Sequence, residues 1–478
     1  MPRLNRRQFL RSSAAFAGAT FAIGGTKSSG NILQNSETVR VAVAGINGRG
    51  GSHIGSLLDI PNVEIAYIVD PDKRIWPGRI KTIEEKSGKA PKAISDIREA
   101  LDDKNLHCVT VATPNHWHSL ITIWACQAGK DVYVEKPCSH NVREGRIAVE
   151  MARKHKCIVQ HGTQSRSEGG WREVMAAIHS GQLGKLLVSR GLCYKSRPSI
   201  GFKPITDPPA DVDFNLWLGP AQEQPYHANL VHYNWHWFWD FGNGDIGNQG
   251  VHQFDIARWA IKGGTLPKSV LTFGGRFGYE DQGETPNTQV SVMDFDETKM
   301  IFEVRGLPTV DYHGQKVGNV FHLEAGTIAG TKFYPKGSDK EAPLPKVDVQ
   351  RGPGRSHFAN FIEAVRSRKV DDLNADILEG HYSSALCHLA NISYRLGGPA
   401  AFKPRAEVAG KLDVLNEALD RMDEHLVANK VDLGSTKVRV GQFLKVDAAT
   451  ESFVDSAEAN KLLTRNYRKP FVVPDKVA

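Results

Sequence analysis

A short β-rich run, Val39-Arg40-Val41-Ala42-Val43-Ala44, ends in the glycine cluster Gly45-Ile46-Asn47-Gly48-Arg49-Gly50-Gly51, and a second apolar run closes on Asp70. Strand, glycine turn, helix and a second strand with an acid at its end constrain the fold more than anything else in the chain. They describe a βαβ unit whose backbone N–H groups face outward at a helix N-terminus, where they hold a pyrophosphate that no side chain blocks. The pattern departs from the plain G-x-G-x-x-G. Counted from Gly45, the middle position is Asn47, the non-glycine residue that best tolerates positive φ. Asp70 stands 25 residues after Gly45, near the spacing at which a carboxylate reaches the ribose hydroxyls of an adenosine. A carboxylate there repels a 2′-phosphate, so the expected cofactor is NAD rather than NADP, with Arg74 as a nearby cation that softens the preference.

Further strand-like runs at 106–113, 131–134 and 157–160 alternate with helical stretches at 119–129 and 142–155. Alternation at this spacing predicts a parallel sheet with helices on both faces. Beyond it, runs at 270–277, 289–295, 300–304, 320–324 and 327–334 are separated by turns with little helix between them, which predicts a mainly antiparallel sheet. Residues 358–366 and 377–396 have helical apolar spacing. From Phe402 the chain turns more polar and reads as a tail that wraps the surface.

Lysine and arginine number 60 against 53 aspartates and glutamates, but Arg3, Arg6, Arg7, Arg11 and Lys27 all precede the first acid, Glu37. The remaining chain is close to neutral. That argues against a nucleic-acid partner, which needs a concentrated basic face. The leader reads as a targeting signal: Asn5-Arg6-Arg7-Gln8-Phe9-Leu10-Arg11 before the small, weakly apolar run 12–25 resembles a twin-arginine export signal, with Asn5 where Ser or Thr usually stands. The run is too short and too rich in Gly and Ala for a stable membrane span. The expected location is periplasmic or otherwise extracytoplasmic. None of the six cysteines forms a Cys-x-x-Cys pair, and Cys108, Cys126, Cys157 and Cys387 sit in apolar runs, so buried reduced thiols are expected rather than a zinc site.

Four segments carry a further signal. Ala112-Thr113-Pro114-Asn115-His116-Trp117-His118 follows the fourth strand and Glu135-Lys136-Pro137 the fifth; Gly162-Thr163-Gln164-Ser165-Arg166 and Asn248-Gln249-Gly250-Val251-His252-Gln253-Phe254-Asp255 lie beyond. Together with the glycine cluster they resemble the Gfo/Idh/MocA family of glucose-fructose oxidoreductases and inositol dehydrogenases. The resemblance implies an α/β fold: an N-terminal Rossmann parallel sheet and a C-terminal α+β domain on an open, mainly antiparallel sheet facing the nicotinamide. It divides the chain into a signal and linker at 1–37, an NAD-binding domain at 38–161, a substrate domain at 162–400 and the tail at 401–478. It also implies a sugar, polyol or sugar-derived substrate, and a homo-oligomer formed through the open sheet face.

Cofactor contacts are expected from Gly45, Asn47, Gly48, Arg49, Gly50 and Asp70 of the first unit. Thr113, Pro114, Asn115, His118, Glu135 and Lys136 supply the others. Oxidation of a hydroxyl needs a group that moves its proton. Lys136 follows a buried strand at the carboxyl end of the sheet, where ligands bind in open α/β folds. His252 matches the histidine of the family's D-x-x-x-H element, but the acid position is Asn248, an amide that holds a hydroxyl and cannot act as a base. Proton transfer then rests on Lys136 and His252. Asp245 is nearby but out of register.

Arg166, Trp235, His236 and Asn248 are the substrate-binding candidates. The segment from His232 to Gly244 is dense in aromatics, which suits either a sugar-stacking site or a buried plug between domains. His227, His232, His236 and His252 match no metal-ligand spacing, and no metal site is expected. Three functional readings follow: a dehydrogenase with exchangeable NAD, an NAD-dependent glycosidase that oxidises its sugar transiently, and a non-catalytic sugar-binding relative.

Overall fold

The computed structural model describes residues 37–349, 352–402 and 413–477; the leader with its paired arginines lies outside the described residues. The first half builds the parallel sheet. Strands β1 (Val39–Ala44), β2 (Val63–Val69), β3 (Lys92–Ile94), β4 (Cys108–Val111), β5 (Asp131–Val134) and β6 (Val159–His161) run in the order β3-β2-β1-β4-β5-β6, all parallel. The order reverses between β1 and β4, and the crevice at that switch is where α/β sheets bind ligands. The central strands β1, β4 and β5 are buried on both sides, which is why their sequences are mostly apolar rather than alternating, whereas the edge strand β3 leaves Lys92 exposed.

One face of this sheet is closed by the helices Asn115–Gln127 and Val142–Lys154, with Phe471 and Val473 from the far C-terminus packed among them. The other face takes Gly48–Leu58 and a helix from 300 residues downstream, His357–Ser367, whose Phe358, Phe361, Ile362 and Val365 pack on Val39, Val41 and Tyr133. The Rossmann domain is therefore completed by chain from well beyond residue 161.

The second sheet follows. Its core comprises β7 (Leu186–Tyr194), β8 (Ser269–Gly275), β9 (Thr288–Phe295), β10 (Thr298–Arg305), β11 (Val317–Leu323), β12 (Gly326–Ala329) and β13 (Lys332–Pro335). Every pairing is antiparallel except β7 with β10. The run read as one strand at 327–334 is two, turned at Gly330, whose φ of +59° suits glycine. Alternation along β10 sends Met300, Phe302 and Val304 to one face, against the helices Gly250–Ala260 and Ile377–Arg395, and Ile301, Glu303 and Arg305 to the other.

The chain after 401 does more than wrap the surface. Its strands β15 (Val438–Val440), β16 (Leu444–Asp447) and β17 (Ser452–Phe453), with β14 (Gly398–Ala400) just before it, extend the sheet beyond β8. The helix Asp413–Ala428 lays Leu415, Leu419, Met422 and Leu426 on Phe273, Val290, Val292 and Ile301. The sheet face expected to stand open for another subunit is thus covered, over β8 to β10, by the chain's own helix. The tail also reaches back to the Rossmann half, where Glu451 pairs with Arg146 and the Leu463 carbonyl accepts from the Arg143 N–H, and Arg468 binds the Asn215 and Gly219 carbonyls beside it. Among the described residues no helix is long and apolar enough to cross a membrane, and all six cysteines are buried and unpaired.

Candidate functional site

A cleft of about 420 Å³ opens at the carboxyl ends of the parallel strands, between the two domains. The turn after β1 forms one wall. Gly45 has φ +77°, and a Cβ there would stand 2.6 Å from the Ala112 and Thr113 backbone; Gly48 has φ +31° and open space where its Cβ would be. Positive φ therefore falls on these two glycines, whereas Asn47 is extended at φ −80° and starts the helix. Gly50 does not line the cleft. A Cβ on it would meet the Gly45 carbonyl oxygen at 1.8 Å, so its role is to let the helix pack on the turn.

Asp70 ends β2 on the cleft wall. Its carboxylate accepts N–H bonds from Ile46 (3.1 Å) and Asp72 (3.0 Å), while burial pushes its pKa up to about 6. Arg74 is not free to meet a phosphate: its guanidinium pairs with Asp72 at 2.6 Å. His232 also reaches Asp72, at 2.7 Å, and brings the second domain to the end of β2.

Glu135 lies at the floor, 4% exposed, held by Arg49 Nε at 2.6 Å and His53 Nε2 at 3.1 Å. These partners keep its carboxyl well below the usual range despite burial. Lys136 extends from the same turn and donates from Nζ to the Asn248 carbonyl at 2.9 Å, a bond that joins the two domains across the cleft. Burial lowers its pKa from the ordinary lysine value; Glu135 opposes that shift and Arg49 adds to it. His118 ties the loops after β4 and β5 together, its ring nitrogens 2.7 Å from the Thr113 carbonyl and 2.6 Å from that of Pro137.

From the second domain come Asn248, at the end of the short helix Gly244–Asn248, and His252, in the first turn of Gly250–Ala260. Burial pushes the His252 imidazole down to about 3, so it is neutral at physiological pH. Asn248 Nδ2 lies 3.4 Å from the Tyr233 hydroxyl, which also receives Arg197 at 3.0 Å. Asp245 faces away, in a bidentate pair with Arg197.

The aromatic segment divides between a buried cluster and the cleft wall. Trp235, Phe238 and Phe241 pack with Trp217 and Leu218 as a buried cluster, while Tyr233, His236 and one side of Trp235 line the cleft. His236 stacks on Trp235 with ring centroids 3.6 Å apart. Among the described residues no three His, Cys, Asp or Glu side chains converge as metal ligands would.

Arg166 is placed elsewhere. It is 6% exposed and bound to Asp255 at 2.9 Å and Glu379 at 3.1 Å, with Trp259 under its guanidinium, and it does not reach the cleft. A buried arginine with two carboxylates braces the helix Gly250–Ala260 against Ile377–Arg395 and is not available to substrate. Gln164, His232, Tyr233 and Trp217 line the cleft without having been singled out individually as site residues.

The cleft fits a dinucleotide. Thr113 Oγ1 and Asn115 Nδ2 are buried on its wall without a partner among the described residues, the glycine turn leaves room at Gly48, and Asp70 stands at the edge.

Comparison with known proteins agrees. Residues 39–163 match the Gfo/Idh/MocA profile described as "Oxidoreductase family, NAD-binding Rossmann fold". Residues 198–304 match its companion, "Oxidoreductase family, C-terminal alpha/beta domain". Scyllo-inositol 2-dehydrogenase (NAD(+)) of Bacillus subtilis is 29% identical over 154 residues, 32% of this chain and 44% of that protein. A glycosyl hydrolase family 109 protein of Saccharopolyspora erythraea is 27% identical over 210 residues, 39% of this chain and 45% of that protein. The chain spans less than half the length of these curated relatives. The crystal structure of the WlbA dehydrogenase from Bordetella pertussis, in complex with NADH and UDP-GlcNAcA, superposes with a TM-score of 0.56 at 19% identity over 75% of this chain and 97% of that one, a likeness of fold.

Proposed function

We propose that this chain, which carries both domains of the Gfo/Idh/MocA oxidoreductase family, is an NAD-dependent dehydrogenase of a sugar, polyol or sugar-derived hydroxyl. The observation that carries the reading is the meeting in one cleft of Asp70 at the end of β2, Lys136 at the end of β5, and Asn248 and His252 from the second domain. The nicotinamide, when bound, supplies the two-electron acceptor. The chain's own residues manage the proton and the orientation. Lys136 Nζ, its pKa lowered by burial, takes the proton of the reacting hydroxyl. His252, neutral, holds that hydroxyl in place, and Asn248 fixes a neighbouring hydroxyl. Glu135 positions the turn that carries Lys136. Tyr233, Trp235 and His236 offer ring faces to the C–H side of a sugar.

Asp70 sets the cofactor preference. Asp70→Ala is expected to weaken NAD by about ten-fold or more, the scale of one charge-assisted hydrogen bond, and to leave NADP nearly unchanged. In the wild type, NAD affinity should also fall as pH drops through about 6, where the Asp70 carboxyl takes up a proton. Titration of both cofactors by fluorescence checks this, and equal losses for NAD and NADP contradict the role.

The second reading, an NAD-dependent glycosidase, is favoured by the similarity to the family 109 glycosyl hydrolase protein. It also suits export by the twin-arginine route, which belongs to this proposal on the pattern Asn5-Arg6-Arg7: a retained cofactor needs no outside supply. The two readings differ in where the electrons end. With aryl glycosides and free sugars as substrates, NADH absorbance and aglycone release are followed together. Stoichiometric NADH without aglycone is the expected result. Aglycone release without net NADH overturns it in favour of transient oxidation, and silence across a broad sugar panel favours a binding protein.

A further inference from the structure

A second cavity, of about 530 Å³, shares no lining residue with the cleft. Its floor is polar and buried: Asn243 is 5% exposed, Asn391 4% and His388 3%. Asn391 donates to the Asn243 carbonyl at 2.9 Å and His388 meets Ser139 at 3.2 Å. Three floor atoms nonetheless have no partner among the described residues: Asn243 Nδ2, Asn391 Oδ1 and His140 Nε2. Buried polar atoms without partners cost free energy, so a floor that offers a donor, an acceptor and an imidazole nitrogen together is arranged for something polar to sit on it.

The rim is cationic. Arg395 and Lys461 are exposed there, and Arg465 lines the wall. Asp240 is the one acid among the described lining residues, and it is already bound by Arg465 at 3.1 Å and Gln224 at 3.0 Å. Arg395 has no carboxylate within ion-pair distance among the described residues; its guanidinium lies over Trp239, 5.1 Å from the ring centroid. One wall, residues 461–466, comes from the C-terminal stretch that sequence composition marks as a tail.

We propose that this cavity is a second ligand site, independent of the reaction assigned to the cleft, and that it binds a small anionic polyol: a sugar acid or a sugar phosphate. Hydroxyls meet the two asparagines and His140 on the floor, and the negative group meets Arg395 and Lys461 at the rim. Such a division of labour matches one end of the cavity to hydrogen bonding and the other to charge.

The test is calorimetric titration of the full chain, saturated with NADH, with D-glucuronate, glucose 6-phosphate and glucose. At least one anionic probe should bind ten-fold or more tightly than glucose; tighter glucuronate identifies a carboxylate ligand, tighter glucose 6-phosphate a phosphate. Arg395→Ala removes the unpaired rim cation, and Asn391→Asp puts a like charge on the floor without changing its shape. Each should weaken that probe ten-fold or more while NADH binding, measured on the same samples, stays at the wild-type value and reports an intact fold. Asp70→Ala, in the other cavity, should leave the probe's affinity unchanged. The proposal fails if no anionic probe exceeds glucose, if both cavity variants bind like wild type, or if Asp70→Ala abolishes the signal.

Discussion

Replacing Lys136 with methionine is expected to leave NAD binding nearly intact and to lower turnover by about two to four orders of magnitude, the range for removal of a general base. Methionine keeps the length and apolar stem of the side chain, so the turn after β5 is not emptied. What is lost is the nitrogen, which sits 2.9 Å from the Asn248 carbonyl and faces the cleft. The pH profile separates chemistry from packing. A lysine acting as base must be deprotonated, so the wild-type rate rises with pH through the Lys136 pKa. Burial sets that rise below the ordinary value of 10.5. The variant's residual rate should lack the rising limb. His252→Ala gives the contrast: a comparable fall in kcat means that the imidazole shares the proton, and a rise in KM alone means that it only positions the hydroxyl. Near-normal turnover in Lys136→Met removes the lysine from the chemistry.

The Rossmann half is legible in the sequence because its signals are local: an apolar strand, a glycine turn and an acid at the next strand's end lie within some thirty residues. Ten of the other candidate residues reach the cleft along with Asp70 for the same reason, since motif neighbours at strand ends share one crevice, and Trp235, His236, Asn248 and His252 reach it from the second domain. The misreadings are non-local. Arg166 follows a motif that lies at the site, yet its partner Asp255 is 89 residues away and draws it into the interior. Asn47 was expected to carry positive φ because it replaces a glycine, whereas Gly45 and Gly48 on either side absorb the turn. Strand β7 escapes notice because Ser189 and Arg190 interrupt its apolar pattern, and only burial against Ala257 and Glu303 explains them. The helix Asp413–Ala428 did leave a trace: Leu415, Leu419, Met422 and Leu426 recur at helical spacing, masked by the acids and arginine between them. No local pattern tells that His357–Ser367 closes the first sheet or that this later helix covers the second.

That covering helix is held by charge as well as by apolar contact, and Glu303→Gln should show how much. The Glu303 carboxylate is fully buried on the outer face of β10. It accepts from Arg190 at 2.7 Å, Arg305 at 3.0 Å, Arg421 of the helix at 2.5 Å and the Tyr194 hydroxyl at 2.8 Å. Glu417, also on the helix, meets Arg190 at 2.8 Å but is partly exposed and compensates only part of the charge. Glutamine preserves the shape and removes the charge, leaving Arg190 and Arg305, each 1% exposed, without their buried counter-ion. Breaking a buried ion pair from one side costs about 3 to 5 kcal/mol, far more than an exposed pair. Removing Lys185 from its surface pair with Glu297 should accordingly leave stability unchanged within error. The pH dependence carries the same signature. The three arginines hold the Glu303 carboxyl down at about 2, against 4.5 when the chain is unfolded, so its contribution is complete above about 4.5 and is lost as pH falls toward 2. Chemical denaturation followed by far-UV circular dichroism should find the variant's midpoint well below that of the wild type at pH 7, with the gap narrowing as pH falls below 4.5. Equal midpoints at pH 7 mean that the apolar contacts of Leu415, Leu419 and Met422 hold the helix without help from the ion pairs.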